Sequence, residues 1–125
     1  MRVLLDTQVL YMAAIGQPFS KRVQALLGNP ENELLLSSTS IFEIALKHTR
    51  GKVDMPEALV QQAMRDLGIT VISFEPRHAY RLFSLPMHHG DPFDRMIIAT
   101  ALVENVPLIG GDRQFARYKG LRTIW

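Results

Sequence analysis

Short apolar runs recur along the chain and alternate with segments that carry helical signals. The runs are continuous in their apolar residues, as expected of strands buried on both faces of a parallel sheet. Five segments are predicted as strands: residues 2–6, 33–37, 69–73, 106–109 and 123–125. Six segments between them are predicted as helices: residues 8–15, 20–27, 40–50, 56–67, 76–85 and 91–104. This alternation predicts an α/β fold.

Local signals fix several helix ends. Ser40 and Glu43 have the spacing of a capping box, and Gly51 stands where a helix commonly stops. Asp91 and Pro92 suit the N-cap and first position of the last long helix. We therefore predict one domain over residues 1–125, with a mostly parallel sheet of four to five strands flanked by helices and right-handed crossovers.

Composition narrows the class of protein. A chain of 125 residues that is 47% hydrophobic has material for one core. The absence of cysteine excludes disulfides, thiolate nucleophiles and cysteine zinc sites, and is compatible with a reducing cytoplasm. No apolar stretch approaches the roughly 18–20 residues of a membrane span, and Asp6 interrupts the apolar start, which makes it a poor signal peptide.

The net charge of the chain also bears on the class of function. Fourteen Lys and Arg residues against twelve Asp and Glu residues give a net charge of +2. If several acids gather in one pocket, the remaining surface is more basic than this figure suggests. An acidic centre with basic flanks would suit a nuclease, because the centre binds metal and the flanks bind phosphates.

Four acids fall either at the end of a predicted strand or in the opening turn of a predicted helix after a strand. Asp6 ends the first predicted strand, Glu43 and Asp94 lie in opening turns of predicted helices, and Asp112 follows the fourth strand. Each alone has a structural interpretation. Asp6 can cap the next helix, Glu43 can complete the capping box or pair with Lys47, Asp94 can complement a helix dipole, and Asp112 can belong to a turn.

The four acids are more informative together. In a parallel sheet the carboxyl ends of the strands meet at one edge, where ligand sites form. Four carboxylates at that edge would repel one another without a cation between them. Oxygen ligands suit Mg²⁺ or Mn²⁺, and a pair of such ions about 3.5–4 Å apart can activate a water and stabilise a leaving oxygen.

Four stretches carry a family resemblance, with the most specific at Asp91-Pro-Phe-Asp-Arg95. The others are Val3–Leu10, Ser37–Lys47 followed by Gly51-Lys52, and Pro107–Phe115, while the specific stretch extends over His88–Ala99. In this order and spacing the chain resembles the PIN-domain nucleases, specifically the VapC-type toxins of bacterial toxin–antitoxin pairs. The resemblance covers residues 3 to about 118.

The resemblance implies a Mg²⁺-dependent endoribonuclease, with Mn²⁺ as an alternative ion, whose acidic positions map onto Asp6, Glu43, Asp94 and Asp112. It implies a cytoplasmic toxin that cleaves cellular RNA, a cognate antitoxin that covers the site, and a homodimer. Water activated by the metal would attack phosphorus in line and leave 5′-phosphate and 3′-hydroxyl ends.

Other polar residues receive weaker predictions. Thr7, Lys47 and Arg95 are candidate substrate contacts, although Thr7 can instead cap a helix, Lys47 can pair with Glu43, and Arg95 can bind an antitoxin acid. Adjacent histidines point in different directions and rarely bind one ion together, so His88 and His89 are expected to have a loop role. A weak zinc site with Asp91 is the alternative.

Two positions depart from the family pattern. Gln8 replaces a His or Asn, and Gly110 replaces a Thr or Ser. Both changes would remove a hydrogen bond near the metal ligands and weaken metal affinity.

Three other functions compete with this prediction. A non-catalytic RNA-binding or interaction module would keep the fold without cleavage. A phosphoacceptor signalling domain needs an acidic pair after the first strand, where Thr7 and Gln8 stand here. DNA-cleaving relatives usually carry extra elements beyond a chain of this length.

Overall fold

The computed structural model describes all 125 residues. Its strands are β1 (Arg2–Leu5), β2 (Glu33–Ser37), β3 (Thr70–Ile72), β4 (Leu108–Ile109) and β5 (Thr123–Ile124). Its helices are α1 (Thr7–Ile15), α2 (Lys21–Gly28), α3 (Ser38–Thr49), α4 (Glu57–Leu67), α5 (Pro76–Arg81) and α6 (Pro92–Glu104), and a 3₁₀ turn covers Arg113–Arg117. No helix combines the length and the apolar character of a membrane span.

The strands form one parallel sheet in the order β3-β2-β1-β4-β5. Leu5 at the end of β1 is level with Leu36 of β2 and with Ile109 of β4. The residues that follow these three strands therefore start from neighbouring points on one edge. The predicted α/β fold with a mostly parallel sheet of four to five strands flanked by helices is confirmed, and the sheet has five strands, all parallel.

The apolar runs supply two cores, one on each face of the sheet. Val3 and Leu5 face a core shared with α1, α2, α3 and α4, whereas Leu4 faces a core shared with α6 and the 3₁₀ turn. In β2 the same alternation separates Leu34 from Leu35. Since successive strand side chains point to opposite faces, a continuous apolar run is what a doubly covered strand requires.

The start of α3 differs from its prediction. The helix begins at Ser38, and its N-cap is Ser37, whose hydroxyl accepts a hydrogen bond from the Thr39 N–H at 3.1 Å. The predicted capping box of Ser40 and Glu43 was therefore wrong. Ser37 ends the strand and caps the helix at once, so Glu43 lies in the second turn. The predicted end was right, because Gly51 follows the helix at a φ of 70°.

Helix α5 is shorter than predicted. It ends at Arg81, and the chain continues to Leu85 through turns in which each N–H donates to the carbonyl three residues earlier. Pro86 follows, and a residue that precedes proline is disfavoured in helical conformation. At its other end α5 carries a capping box, because the Glu75 N–H donates to Nδ1 of His78 at 2.9 Å.

Candidate active site

An acidic cavity of about 320 Å³ lies at the edge where the strands end. Five carboxylates and one ammonium group are among its lining: Asp6, Glu43, Lys47, Asp91, Asp94 and Asp112. The structure thus brings together the four acids singled out from the sequence and adds Asp91. Thr7 and Gln8 also line the cavity, whereas Arg95 does not.

Asp6 stands at the centre of this arrangement. Its backbone N–H donates to the Ile109 carbonyl at 2.9 Å, which ties the end of β1 to β4. Its side chain makes no capping hydrogen bond to α1, although its backbone occupies the N-cap position. The residue is only 5% exposed, and its Oδ1 atom is buried without a hydrogen-bond partner. A buried, unpaired carboxylate oxygen is costly unless something binds it.

Burial raises the pKa of Asp6 to about 7, and the negative charges of Asp94 and Glu43 add to the effect. Burial likewise raises the pKa of Asp94 to about 6, followed by the charges of Asp91 and Glu43. Ionising either carboxyl group therefore costs free energy, first because the group is buried and second because other acids lie near it. A cation in the cavity would offset both costs.

Asp94 lies in the first turn of α6, which Asp91 caps by accepting from the Asp94 N–H at 3.0 Å. The prediction of Asp91 as N-cap and Pro92 as first helical residue was right. Because the Asp91 side chain accepts the hydrogen bond that caps the helix, the Asp94 side chain is not needed for capping and can face the cavity. Its Oδ2 atom lies 3.4 Å from Nε2 of His89.

Glu43 is buried and held from two sides. The Thr7 hydroxyl lies 2.8 Å from Oε1 of Glu43 and 2.8 Å from the Ser40 hydroxyl. Since Thr7 has one proton, it donates to the carboxylate and accepts from Ser40. On the other side the Lys47 ammonium donates to Oε2 of Glu43. These contacts fix the carboxylate in the cavity wall and account for Thr7 as a residue that positions it.

Asp112 has a structural role as well as a place in the cavity. Its Oδ1 atom accepts from the Gln114 N–H at 2.9 Å and so caps the 3₁₀ turn, as the turn-like sequence around it suggested. The residue is exposed, and its second oxygen is not used by the cap. Asp112 is the least enclosed of the four predicted acids.

Gly110 is required by close packing. A Cβ at this position would lie 2.7 Å from Cε2 of buried Phe115 and 3.0 Å from the Cβ of Asp6. The fold therefore has no space for the Thr or Ser that stands here in the family pattern. The close approach lets β4 run beside Asp6.

We expect the substitution Gly110→Ala to lower the free energy of unfolding by about 1–3 kcal/mol, because an overpacked site must move its neighbours. Urea unfolding followed by circular dichroism measures the change. Gly28→Ala is the matched control, since a Cβ there meets nothing within 4 Å. Equal stability of the two variants would contradict this prediction, because it would show that Phe115 and Asp6 can move away from the added methyl group at no cost in free energy.

Arg95 does not serve the predicted phosphate contact. It is 9% exposed, and its guanidinium donates to the Pro86 carbonyl at 2.7 Å and to the Leu85 carbonyl at 3.1 Å. Neighbouring residues on a helix point about 100° apart, so adjacency to Asp94 does not bring Arg95 to the cavity. Arg95 instead fastens the segment before α6 to the helix.

His89 is a site residue that sequence reasoning missed. The pair of histidines suggested a loop or a weak zinc site with Asp91. Both rings pack edge-on against Tyr118, with centroids 4.8 Å away for His88 and 5.5 Å for His89, but His89 alone of the two joins the ligand group with Asp94 and Asp112. The one local signal was a histidine two residues before a helix N-cap.

The carboxylates gathered here suit a hard divalent cation. Ligand atoms from His89, Asp94 and Asp112 lie within 4.8 Å of one another, and Asp6 adds an unpartnered oxygen in the same cavity. Carboxylate oxygens are preferred by Mg²⁺ and Mn²⁺. The residues present therefore fit such an ion.

Comparison with known proteins gives consistent matches over nearly the whole chain. The family model for the PIN domain matches residues 3–121. Ribonuclease VapC22 of Mycobacterium tuberculosis is 29% identical over 133 residues, covering 98% of this chain and 98% of that protein.

Solved structures show the same fold. VapBC2 from Rickettsia felis, bound to a DNA fragment from its promoter, aligns with a TM-score of 0.75 at 19% identity over 99% of this chain and 98% of that one. DNA-bound VapBC from Salmonella typhimurium aligns with a TM-score of 0.74 at 18% identity over 99% and 97%. VapBC-5 from Mycobacterium tuberculosis, a member of a family of toxin–antitoxin systems, aligns with a TM-score of 0.67 at 16% identity over 98% and 97%.

Proposed function

Because this chain belongs to the PIN-domain family, we propose that it is a divalent-metal-dependent endoribonuclease and the toxin of a toxin–antitoxin pair, with residues 1–125 forming the nuclease domain. The observation that carries the proposal is the cavity in which Asp6, Glu43, Asp94 and Asp112 converge. The similarity to a ribonuclease over 98% of both chains supports the same activity.

Asp6, Asp94 and Asp112 would hold the ion, Mg²⁺ or Mn²⁺, and Glu43 would complete the site. When bound, such an ion polarises a phosphodiester and makes water more acidic at neutral pH. The contribution of the chain is positioning. Thr7 and Lys47 keep the Glu43 carboxylate turned toward the cavity, where it can orient a water or accept its proton.

Lys47 is the one basic side chain that lines the cavity. Its side chain is 43% exposed, so the ammonium can contact a phosphate while it remains beside Glu43. We therefore assign Lys47 to the scissile or adjacent phosphate of the RNA. Attack by water at phosphorus and breakage of the bond to the 3′-oxygen would leave 5′-phosphate and 3′-hydroxyl ends.

Charge outside the cavity supports a polyanionic substrate. Removing the five lining acids from twelve, and Lys47 from fourteen basic residues, leaves seven acids and thirteen bases for the rest of the chain. A surface with that balance attracts phosphates, and its affinity falls as salt rises.

The proposed partners are cellular RNA, a cognate antitoxin protein and a second copy of the chain in a homodimer. The antitoxin is supported by the similarity to VapBC complexes over 97–98% of the solved chains. We place the protein in the cytoplasm because that is where its proposed RNA substrate resides.

The test is incubation of the purified chain with total cellular RNA in Mg²⁺, Mn²⁺ or EDTA, followed by mapping of the new ends. We expect cleavage with either ion, none in EDTA, and 5′-phosphate at the new ends. Cleavage that persists in EDTA, or 2′,3′-cyclic phosphate products, would contradict the proposed mechanism, because attack by the RNA's own 2′-hydroxyl yields such products without an added water.

A further inference from the structure

We propose that His89 supplies a nitrogen ligand to the divalent ion held by Asp94 and Asp112, so that the site prefers Mn²⁺ to Mg²⁺. The inference rests on the proposed function in one respect only, namely that the cavity binds a divalent cation. It adds a ligand type that the four acids do not provide.

The first argument for this ligand is the position of the His89 imidazole relative to the two acids. Nε2 of His89 lies 3.4 Å from Oδ2 of Asp94, and one ligand atom from each of His89, Asp94 and Asp112 falls within a span of 4.8 Å. Adjacent ligands of an octahedral ion with bonds of about 2.1 Å are roughly 3 Å apart. The side chains are therefore near the separation that one ion requires.

The second argument is that Nε2 of His89 lacks a hydrogen-bond partner. The atom is buried and makes no hydrogen bond, and 3.4 Å is beyond the usual range of about 2.7–3.2 Å for an N–H donor and an oxygen. Oδ1 of Asp6, a residue that is 95% buried and is affected by the charges of the same Asp94 and Asp112, also lacks a partner. A buried nitrogen without a partner beside a carboxylate is a position that a bound ion would satisfy.

Tyr118 holds the His89 ring from its other nitrogen. Its hydroxyl lies 2.7 Å from Nδ1 of His89, and the tyrosine itself is only 2% exposed. Histidines that bind metal through one ring nitrogen usually donate the other N–H to a fixed acceptor. If Nδ1 donates to the Tyr118 oxygen, the lone pair of Nε2 is directed to the side of Asp94.

The chemical consequence is selectivity. Mg²⁺ binds mainly oxygen, whereas imidazole nitrogen favours transition-metal ions. We expect the unsubstituted chain to bind Mn²⁺ at least about tenfold more tightly than Mg²⁺. We expect His89→Gln to weaken Mn²⁺ binding about tenfold or more, and to change Mg²⁺ binding by less than about threefold.

The experiment uses the full chain, Mn²⁺ alone and no RNA. Electron paramagnetic resonance of free Mn²⁺ gives affinity, competition with Mg²⁺ gives selectivity, and electron spin echo modulation reports whether a nitrogen is bound directly. The matched control is His88→Gln, because His88 packs edge-on against Tyr118 as His89 does but is not in the ligand group. Labelling histidine with ¹⁵N in the unsubstituted chain repeats the test without any change in folding.

Nitrogen coupling that shifts with ¹⁵N-histidine, survives His88→Gln and disappears in His89→Gln would establish the ligand. Bound Mn²⁺ without nitrogen coupling, or coupling retained in His89→Gln, would overturn it, even if the chain cleaves RNA. Coupling from His89 in a chain that fails to cleave RNA would instead contradict the proposed function alone. Failure to bind Mn²⁺ would overturn both.

Discussion

Substitution of Asp94 by Asn is expected to reduce RNA cleavage about a thousandfold while the fold persists. The side chain keeps its size, and the backbone N–H of residue 94 can still donate to Asp91. What disappears is one negative charge that acts on Asp6 and lies 3.4 Å from His89, and with it one of the ligands proposed for the ion. Metal catalysis contributes several kcal/mol to transition-state stabilisation, and each 1.36 kcal/mol corresponds to a factor of ten.

The measurement is cleavage of a fixed RNA substrate in Mg²⁺, with binding of the same RNA measured in parallel. Asp66→Asn is the matched control, because Asp66 lies exposed on α4 and contacts only Gln62 by hydrogen bond. Retained RNA binding with lost cleavage would separate an enzyme from a non-catalytic RNA-binding module. Equal cleavage by Asp94→Asn and the unsubstituted chain would show that the observed activity does not come from this cavity.

Asp6→Asn is expected to stabilise the metal-free protein at pH 8 by about 1–3 kcal/mol. The pKa of Asp6 rises from 3.8 to about 7 on folding, chiefly because the carboxyl group is buried. A shift of about three units corresponds to at most roughly 4 kcal/mol. The buried amide of Asn also lacks a hydrogen-bond partner, and this cost reduces the stabilisation that comes from removing the buried charge.

The pH dependence has a definite sign. Between pH 4 and 7 the folded protein binds more protons at Asp6 than the unfolded chain does, so the unfolding free energy of the metal-free protein falls as pH rises. Asp94, with a pKa raised to about 6, contributes in the same direction. The advantage of Asp6→Asn should therefore vanish near pH 4 and be complete above pH 7.

Urea unfolding in EDTA at several pH values measures this difference, with Asp66→Asn again as the control for loss of an exposed charge. Added Mn²⁺ should stabilise the unsubstituted chain at pH 8 more than it stabilises Asp6→Asn, since an ion that binds only the folded state raises its stability and the variant has one carboxylate fewer for it. A metal-free protein whose stability is flat from pH 4 to 7 would contradict the assigned burial cost of Asp6.

Much of the fold was predictable from local patterns. Continuous apolar runs indicated doubly covered parallel strands. The end of α3 just before Gly51 and the start of α6 after Asp91 followed from capping preferences. The general rule that parallel strands end at a common edge then placed Asp6 and Asp94 near each other, and the structure has both in one cavity. These inferences succeed because periodicity and backbone capping are properties of neighbouring residues.

Packing decided what local patterns left open. Arg95 adjoins a cavity residue in sequence but is buried against the Leu85 and Pro86 carbonyls. Glu43 has capping-box spacing from Ser40, yet α3 starts earlier and the carboxylate contacts Thr7 from another helix. Both outcomes depend on contacts between different helices and loops. The spacing of residues within one helix does not predict those contacts.

By itself, the sequence determined an α/β sheet whose strand ends carry four acids, since that requires only hydrophobic period and strand direction. The tertiary structure alone decided how those acids are supported. It buried Asp6 with an unpartnered oxygen, left no room for a side chain at residue 110, and brought His89 to Asp94 through a ring held by Tyr118. The physical reason is that burial and ligand geometry arise from contacts between residues distant in sequence, which form only when both faces of the sheet are packed.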